Sequence, residues 1–135
     1  MGTRSTIALE FADNTVQQVY CHWDGYLDNN GMILHKNYQD PFLVRDLIDL
    51  GGFSSLRDTI AETAETAYTQ RGEELDVNKF NDYSDYIENH QYEEYEYILR
   101  RDGNWYVKCH SEPYVLLQEA IADDLVRKAM EEETL

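Results

Sequence analysis

Cysteines, basic residues and long apolar runs are scarce in this sequence of 135 residues, and each scarcity narrows the class of protein. Two cysteines, Cys21 and Cys109, are too few for a disulfide framework, so we expect reduced thiols in a cytoplasmic protein. Lysine and arginine together number 11 against 27 acidic residues, and the formal net charge of −16 disfavours binding to nucleic acid or to an anionic membrane. No secretory signal is recognisable, and no apolar run approaches the roughly 20 residues that cross a bilayer.

The negative charge is concentrated in residues 58–96, which we call the acidic segment. It contains twelve acidic residues against two basic ones, with tyrosines interleaved. A content of 42% hydrophobic and 13% aromatic residues is too high for a disordered acidic chain, which predicts one folded domain over residues 1–135. Because tyrosine provides contact area at low entropic cost, we expect the segment to bind a partner protein. The expected contact residues are Glu73, Glu74, Asp82, Tyr83, Asp85, Tyr86, Glu88, Tyr92, Glu93 and Glu94.

Two β-hairpins are predicted from alternating apolar residues on either side of short turns. The first joins residues 5–11 to residues 16–23 through a three-residue turn with Asn14 in the left-handed conformation. In that register Ile7, Leu9, Phe11, Val19, Cys21 and Trp23 share one face. The second joins residues 94–100 to residues 104–110, with Gly103 left-handed. This register groups Tyr95, Tyr97 and Leu99 with Trp105, Val107 and Cys109, and it places Glu96 opposite Lys108.

Helices are predicted for much of the remaining chain. Asp40 followed by Pro41 is typical of a helix start, and Gly51 marks the end of that helix. Weaker patterns predict a helix over residues 55–68, a loop over 71–79 and a helical turn over 80–88. A further helix is expected from Pro113, with an apolar stripe of Tyr114, Leu117, Ile121, Ala122, Leu125 and Ala129. The predicted fold class is α+β: an antiparallel sheet of about four strands, formed by two hairpins, with helices packed on one face.

Two stretches carry a resemblance to a known group of proteins. They are residues 2–9, GTRSTIAL, and the YCHWDGY string of residues 20–26, continued by residues 30–31 and 46–56. The first half of the chain resembles a family of small uncharacterised proteins carried by bacteriophages and bacteria. The resemblance implies a phage or prophage origin, and it implies no activity, cofactor or catalytic residue.

Polar and aromatic residues near the first hairpin form a second candidate site. An arginine beside tyrosine and tryptophan rings is suited to a nucleotide or another small signalling molecule, and a histidine near a carboxylate is suited to acid–base catalysis in a small hydrolase. The residues are Arg4, Tyr20, His22, Trp23, Asp24 and Tyr26. No metal site is predicted, because consecutive strand residues point to opposite faces, which separates Cys21 from His22 and Cys109 from His110.

These observations lead to three hypotheses of function. The first is a non-enzymatic phage accessory protein that inhibits a basic host or defence protein through the acidic segment, as a DNA mimic in one version. The second is a nucleotide-binding protein that sequesters a signalling molecule, and the third is a hydrolase centred on His22 and Asp24. No cofactor and no catalytic residue are assigned. A homodimer is also considered.

Overall fold

The computed structural model describes residues 3–133, so Gly2 of the GTRSTIAL string lies outside the described residues. Six strands and five helices are assigned within that range. The strands are β1 (Ser5–Glu10), β2 (Val16–Cys21), β3 (Asn78–Phe80), β4 (Tyr95–Leu99), β5 (Trp105–Cys109) and β6 (Val115–Leu116). The helices are α1 (Met32–Asn37), α2 (Pro41–Ile48), α3 (Ile60–Ala64), α4 (Tyr83–Asn89) and α5 (Leu117–Glu133). A π-helical turn (Leu27–Gly31) and a 3-10 turn (Tyr68–Arg71) complete the regular structure of these residues.

Both hairpins have the predicted register. Asn14 is left-handed with φ of 77°, and Ile7 pairs with Val19. Gly103 is left-handed with φ of 85°, and Tyr97 pairs with Val107. The left-handed turn residues are therefore consistent with both registers. A slip of one residue would turn the buried face of each strand outward, so the apolar pattern favours the same registers.

The hairpins are joined in a way that the sequence analysis did not predict. Their first strands, β1 and β4, pair in parallel at the centre of the sheet, with Ile7 opposite Tyr97. The strand order is β3-β2-β1-β4-β5-β6, so the sheet is mixed and six-stranded rather than antiparallel and four-stranded. The two edge strands are short, three residues in β3 and two in β6.

One face of the sheet packs against helices, as predicted. Its side chains form the main core with residues of α1, α2 and the first turns of α5. The buried sheet residues on this face are Ile7, Leu9, Val19, Cys21, Tyr97, Leu99, Trp105 and Val107. Trp23 was expected on this face as well, but it lies beyond the end of β2 with its side chain 43% exposed.

The opposite face is also covered, which corrects the expectation of helices on one face only. Helix α4 packs on it next to the edge strand β3, and together with the sheet it buries a second, smaller cluster formed by Ala8, Val16, Phe80, Tyr86 and Ile98. Part of the acidic segment is therefore a structural layer rather than a solvated loop. This layer covers β1, β2 and β4 from the side away from α2.

The helices differ from their predictions mainly in extent. Helix α2 begins as expected, with the Asp40 side chain accepting a hydrogen bond from the Phe42 amide. The predicted helix over residues 55–68 is reduced to the five residues of α3, and residues 78–80 form β3 instead of a loop. The predicted helix at Pro113 starts only at Leu117, after β6. Its apolar stripe is buried at Leu117 and Ile121, whereas Leu125 is 56% exposed.

Between residues 3 and 133 we find no helix with the length and apolar character required to cross a membrane.

Candidate functional site: an acidic groove lined by tyrosines

The two sequence strings that carry the family resemblance meet in a tightly packed cluster. The buried Asn30 amide donates to Ser5 Oγ at 3.1 Å and to Cys21 Sγ at 3.4 Å. The Gly25 amide donates to the Thr3 carbonyl at 2.7 Å, and the Gly25 carbonyl accepts from the Tyr97 hydroxyl at 2.6 Å. These contacts fix the loop after β2 against β1 and β4. A structural role therefore accounts for these members of the two strings.

The six residues predicted to bind a small ligand do not form one site. Arg4 and Tyr20 line a cavity near the end of β2, whereas Trp23 and Asp24 line a different one. Tyr26 is on the surface, where its hydroxyl donates to Asp24 at 3.4 Å.

His22 and Asp24 also have different hydrogen-bond partners. His22 Nδ1 lies 2.8 Å from the Tyr20 hydroxyl, while the Asp24 carboxylate accepts from Tyr26. Sequence proximity therefore does not place these two side chains in the arrangement that a hydrolase would need.

The Trp23 cavity has a volume of about 240 Å³ and a mixed charge. Three acidic residues, Asp24, Asp58 and Glu62, and the basic residue Arg57 are among those that line it. All three carboxylates already have hydrogen-bond partners, since Asp24 accepts from the Tyr26 hydroxyl, Asp58 from the Asn37 amide and Glu62 from the Thr59 hydroxyl.

Two larger adjoining cavities share no lining residue with the Trp23 cavity. Their volumes are about 360 Å³ and 550 Å³, and both are lined by Gly52, Tyr68 and Asp76. We call the two cavities together the tyrosine groove. The rings of Tyr20 and Tyr68 stack in it, with centroids 6.5 Å apart and planes inclined by 27°.

Gly52 allows the Tyr68 ring to lie close to the backbone. A Cβ atom at position 52 would be 3.0 Å from Cδ2 of that ring, so a larger residue would push it away. The Tyr68 amide also donates to the Gly52 carbonyl at 3.1 Å. The ring is thus held by backbone contacts while part of it remains accessible.

The walls of the tyrosine groove are strongly acidic. Among the described residues four acidic ones line it, against Arg4 as the one basic lining residue, and they are Glu73, Glu74, Asp76 and Glu93. A second arginine, Arg71, lies over the Tyr68 ring with its guanidinium carbon 4.4 Å from the centroid. The same guanidinium forms an ion pair with Glu73.

The ten residues predicted for partner binding are divided by the structure. Glu73, Glu74 and Glu93 line the tyrosine groove. Others lie outside it on the surface, among them Tyr92, which is 63% exposed. The other exposed members are Asp82, Glu88 and Glu94.

Four of the ten have structural roles, among them Asp82, whose side chain caps the start of α4 by accepting from the Asp85 amide at 2.8 Å. Tyr86 is fully buried in the cluster beneath α4, so its side chain is not offered on the surface where the sequence analysis expected a contact residue. Tyr83 is half-buried beneath the Arg100 guanidinium, 3.5 Å from the ring centroid. Asp85, in the first turn of α4, accepts from the backbone amide of Asn81 at 2.8 Å.

A buried polar network beneath α4 was missed by sequence reasoning. His90 Nε2 donates to Glu96 at 2.5 Å, and His90 Nδ1 lies 2.7 Å from the Tyr86 carbonyl oxygen. Since a carbonyl only accepts, Nδ1 carries a proton, and since an ionised carboxylate only accepts, Nε2 carries the second proton, which makes His90 cationic beside ionised Glu96. The Tyr114 hydroxyl donates to the same Glu96 oxygen at 2.8 Å and lies 2.9 Å from the Tyr86 hydroxyl. In the sequence, the four-residue spacing of Tyr86 and His90 would have indicated that the two side chains lie on one face of a helix.

This network shifts the pKa of both ionisable partners. Burial alone would lower the pKa of His90, but the hydrogen bond and charge of Glu96 outweigh burial and raise it. Burial alone would raise the pKa of Glu96, but hydrogen bonds from His90 and Tyr114 outweigh burial and lower it. The pair is therefore held ionised inside the protein. Glu96 is opposite Lys108 as predicted, yet its charge partner is His90.

Within residues 3–133 no group of three or more histidine, cysteine or acidic side chains is placed to hold a metal ion. In comparisons with known proteins, no protein-family model, no curated protein and no solved structure matches the chain.

Proposed function

We propose that this protein is a non-enzymatic binding protein whose tyrosine groove accepts a basic segment of another protein. The observation that carries the proposal is the set of residues that line the groove, four acidic residues and two tyrosines against Arg4, with a second arginine, Arg71, over the Tyr68 ring. A concentrated field of one sign attracts partners of the opposite sign, and tyrosine rings provide rigid contact area. The biological setting we propose is that of a phage accessory protein which inhibits a basic host or defence protein.

The continuity of the groove across two cavities supports a peptide rather than a small molecule as its occupant. Its two cavities adjoin at Gly52, Tyr68 and Asp76, so the accessible surface continues on both sides of one ring. An extended segment of several residues fits such a continuous surface better than a compact ligand does. The net charge of −16 adds long-range attraction for a basic partner.

A nucleotide is a less favourable occupant of the same groove. Arg4 and Tyr20 provide the cation and ring that the nucleotide hypothesis requires, but Asp76 and Glu93 line the same cavity. A phosphate group would be repelled by these carboxylates, because like charges at short range oppose binding. The hydrolase hypothesis receives no support from His22 and Asp24, which have separate partners.

The test removes four groove charges and compares the result with a matched variant. The groove variant combines Glu73→Gln, Glu74→Gln, Asp76→Asn and Glu93→Gln. The control combines Asp49→Asn, Glu65→Gln, Glu119→Gln and Glu132→Gln, four exposed acids that do not line the groove. Both variants change the net charge equally, so they separate local recognition from general attraction. The probe is a fluorescently labelled peptide of eight arginine residues, followed by anisotropy at several salt concentrations.

We expect the groove variant to lose at least about tenfold in affinity while the control loses much less, and we expect affinity to fall with salt. Equal losses in the two variants would refute the groove as the site. Competition by duplex DNA for a partner isolated from host lysate tests the DNA-mimic version. A lysate pulldown that yields no basic protein would contradict the proposed biological setting.

A further inference from the structure

An arginine of the chain itself lies against the tyrosine groove and shows which cation its wall accommodates. The Arg71 guanidinium lies 4.4 Å from the Tyr68 ring centroid and pairs with Glu73. Tyr68 and Glu73 are both lining residues of the larger cavity. The ring and the carboxylate thus contact one planar cation together.

We infer that Tyr68 and Glu73 form an arginine-selective subsite, which Arg71 occupies in the free protein and an arginine of the partner occupies in the complex. This inference rests on the proposed function and specifies the side chain that the groove recognises. It also gives Arg71 a role, that of an internal competitor for the subsite.

An arginine of the partner can replace Arg71 because the contact of Arg71 with Glu73 is exposed to solvent. The side chains of Arg71 and Glu73 are 64% and 51% exposed, so their ion pair contributes little stability. The adjacent Gly72 has φ of 83° and open space at its Cβ position, so no side chain closes the approach there. An incoming guanidinium therefore displaces a weak, solvent-exposed contact rather than a buried one.

Selectivity for arginine over lysine follows from the geometry of the two partners. A guanidinium group is planar and weakly hydrated, so it stacks on a ring face and donates in its plane to a carboxylate simultaneously. An ammonium group is a compact, strongly hydrated point charge and cannot adopt that flat arrangement. The backbone also holds Glu73 close to Tyr68, because the Glu73 amide donates to the Tyr68 carbonyl at 3.2 Å.

The test compares two peptides of equal charge, eight arginines and eight lysines, on the wild-type protein and on variants. We expect wild type to prefer the arginine peptide by about threefold or more. Tyr68→Phe, which retains the ring, should keep the preference, and Tyr68→Leu should abolish it. Circular dichroism of Tyr68→Leu establishes whether the variant is folded.

The competitor role has a separate readout. Arg71→Gln should raise affinity for the arginine peptide by about two- to fivefold, since the cost of displacing an exposed cation–π contact is removed. Arg45→Gln is the matched control, because it changes the net charge equally and lies in α2, outside the groove wall. Equal effects of the two substitutions would overturn the competitor role.

The outcomes distinguish this inference from the proposed function. If the groove variant weakens both peptides but wild type binds them equally, the arginine subsite is refuted and the proposed function stands. If neither peptide binds wild type, both are refuted. If Tyr68→Leu is folded and retains the preference for arginine, Tyr68 does not form the subsite.

Discussion

Replacement of Glu96 by glutamine would remove one charge of the buried pair beneath α4 while preserving the shape of the side chain. His90 and Glu96 are 5% and 1% exposed, so water does not screen their interaction. In the variant, the cationic form of His90 loses its countercharge and becomes unfavourable. Breaking a buried ion pair by removing one partner costs about 3–5 kcal/mol of unfolding free energy.

The loss of unfolding free energy in Glu96→Gln should depend on pH, which tests the ionised pair more specifically than the size of the loss does. The pKa of His90 is raised above its ordinary value of 6.5, so its contribution is complete below about pH 6.5 and is lost as pH rises through the raised pKa. The pKa of Glu96 is lowered from 4.5, so its contribution is complete above about pH 4.5 and is lost as pH falls through the lowered pKa. The ion pair therefore stabilises the protein most between these two values.

At pH 5.5 we expect Glu96→Gln to lose ~3 kcal/mol, the lower end of the range, because the amide retains hydrogen bonding. At pH 8.5 we expect a loss of only ~1 kcal/mol, since a neutral His90 can accept a hydrogen bond from the Gln side chain at Nε2. Urea unfolding followed by the fluorescence of the buried Trp105 measures both values.

Glu10→Gln is the control for this experiment. Glu10 pairs with Arg100, with Nε and Oε1 2.8 Å apart, and arginine stays charged across this pH range. Its effect on stability should therefore be the same at pH 5.5 and pH 8.5. A loss for Glu96→Gln that is equal at the two pH values, or larger at pH 8.5, would refute the ionised pair.

Three further predictions concern the packed loop, a helix cap and the thiols. Gly25→Ala should cost about 1–3 kcal/mol in thermal unfolding, because the new Cβ would be 2.7 Å from Ser5 Cβ, and an unchanged melting temperature would contradict that packing. Asp40→Ala should cost about 1 kcal/mol by loss of the α2 cap, with Asp40→Asn near neutral; equal losses would show that charge matters instead. Cys109 should react with a thiol reagent before the buried Cys21, and the reverse order, read by peptide mass analysis, would contradict their burial.

The local parts of the fold were predictable from sequence because single residues determine them. Asn14 and Gly103 fix the two turns, and Asp40 fixes the start of α2. The parallel pairing of β1 with β4 joins segments about 90 residues apart in the chain, and no local pattern specifies such a pairing.

The candidate site was less predictable for a related reason. An acidic residue normally indicates a solvated surface, so the sequence suggested only the cross-strand neighbour Lys108 for Glu96, whereas His90 pairs with it in the interior. The groove brings together Tyr20 from the first hairpin and Tyr68 from a turn after α3, which contact only through the tertiary fold. Glu73, Glu74 and Glu93 were predicted by composition, but their common location was not.

The central position of β1 has a consequence for synthesis on the ribosome. In chain order β1 precedes its second neighbour, β4, by about 90 residues, and β4 ends only at Leu99. Until those later residues leave the exit tunnel, the edge of β1 that faces β4 is unpaired, and an isolated hairpin is marginally stable in water. The centre of the sheet therefore closes only after Leu99 has been synthesised, a delay during which that edge is open to chaperones.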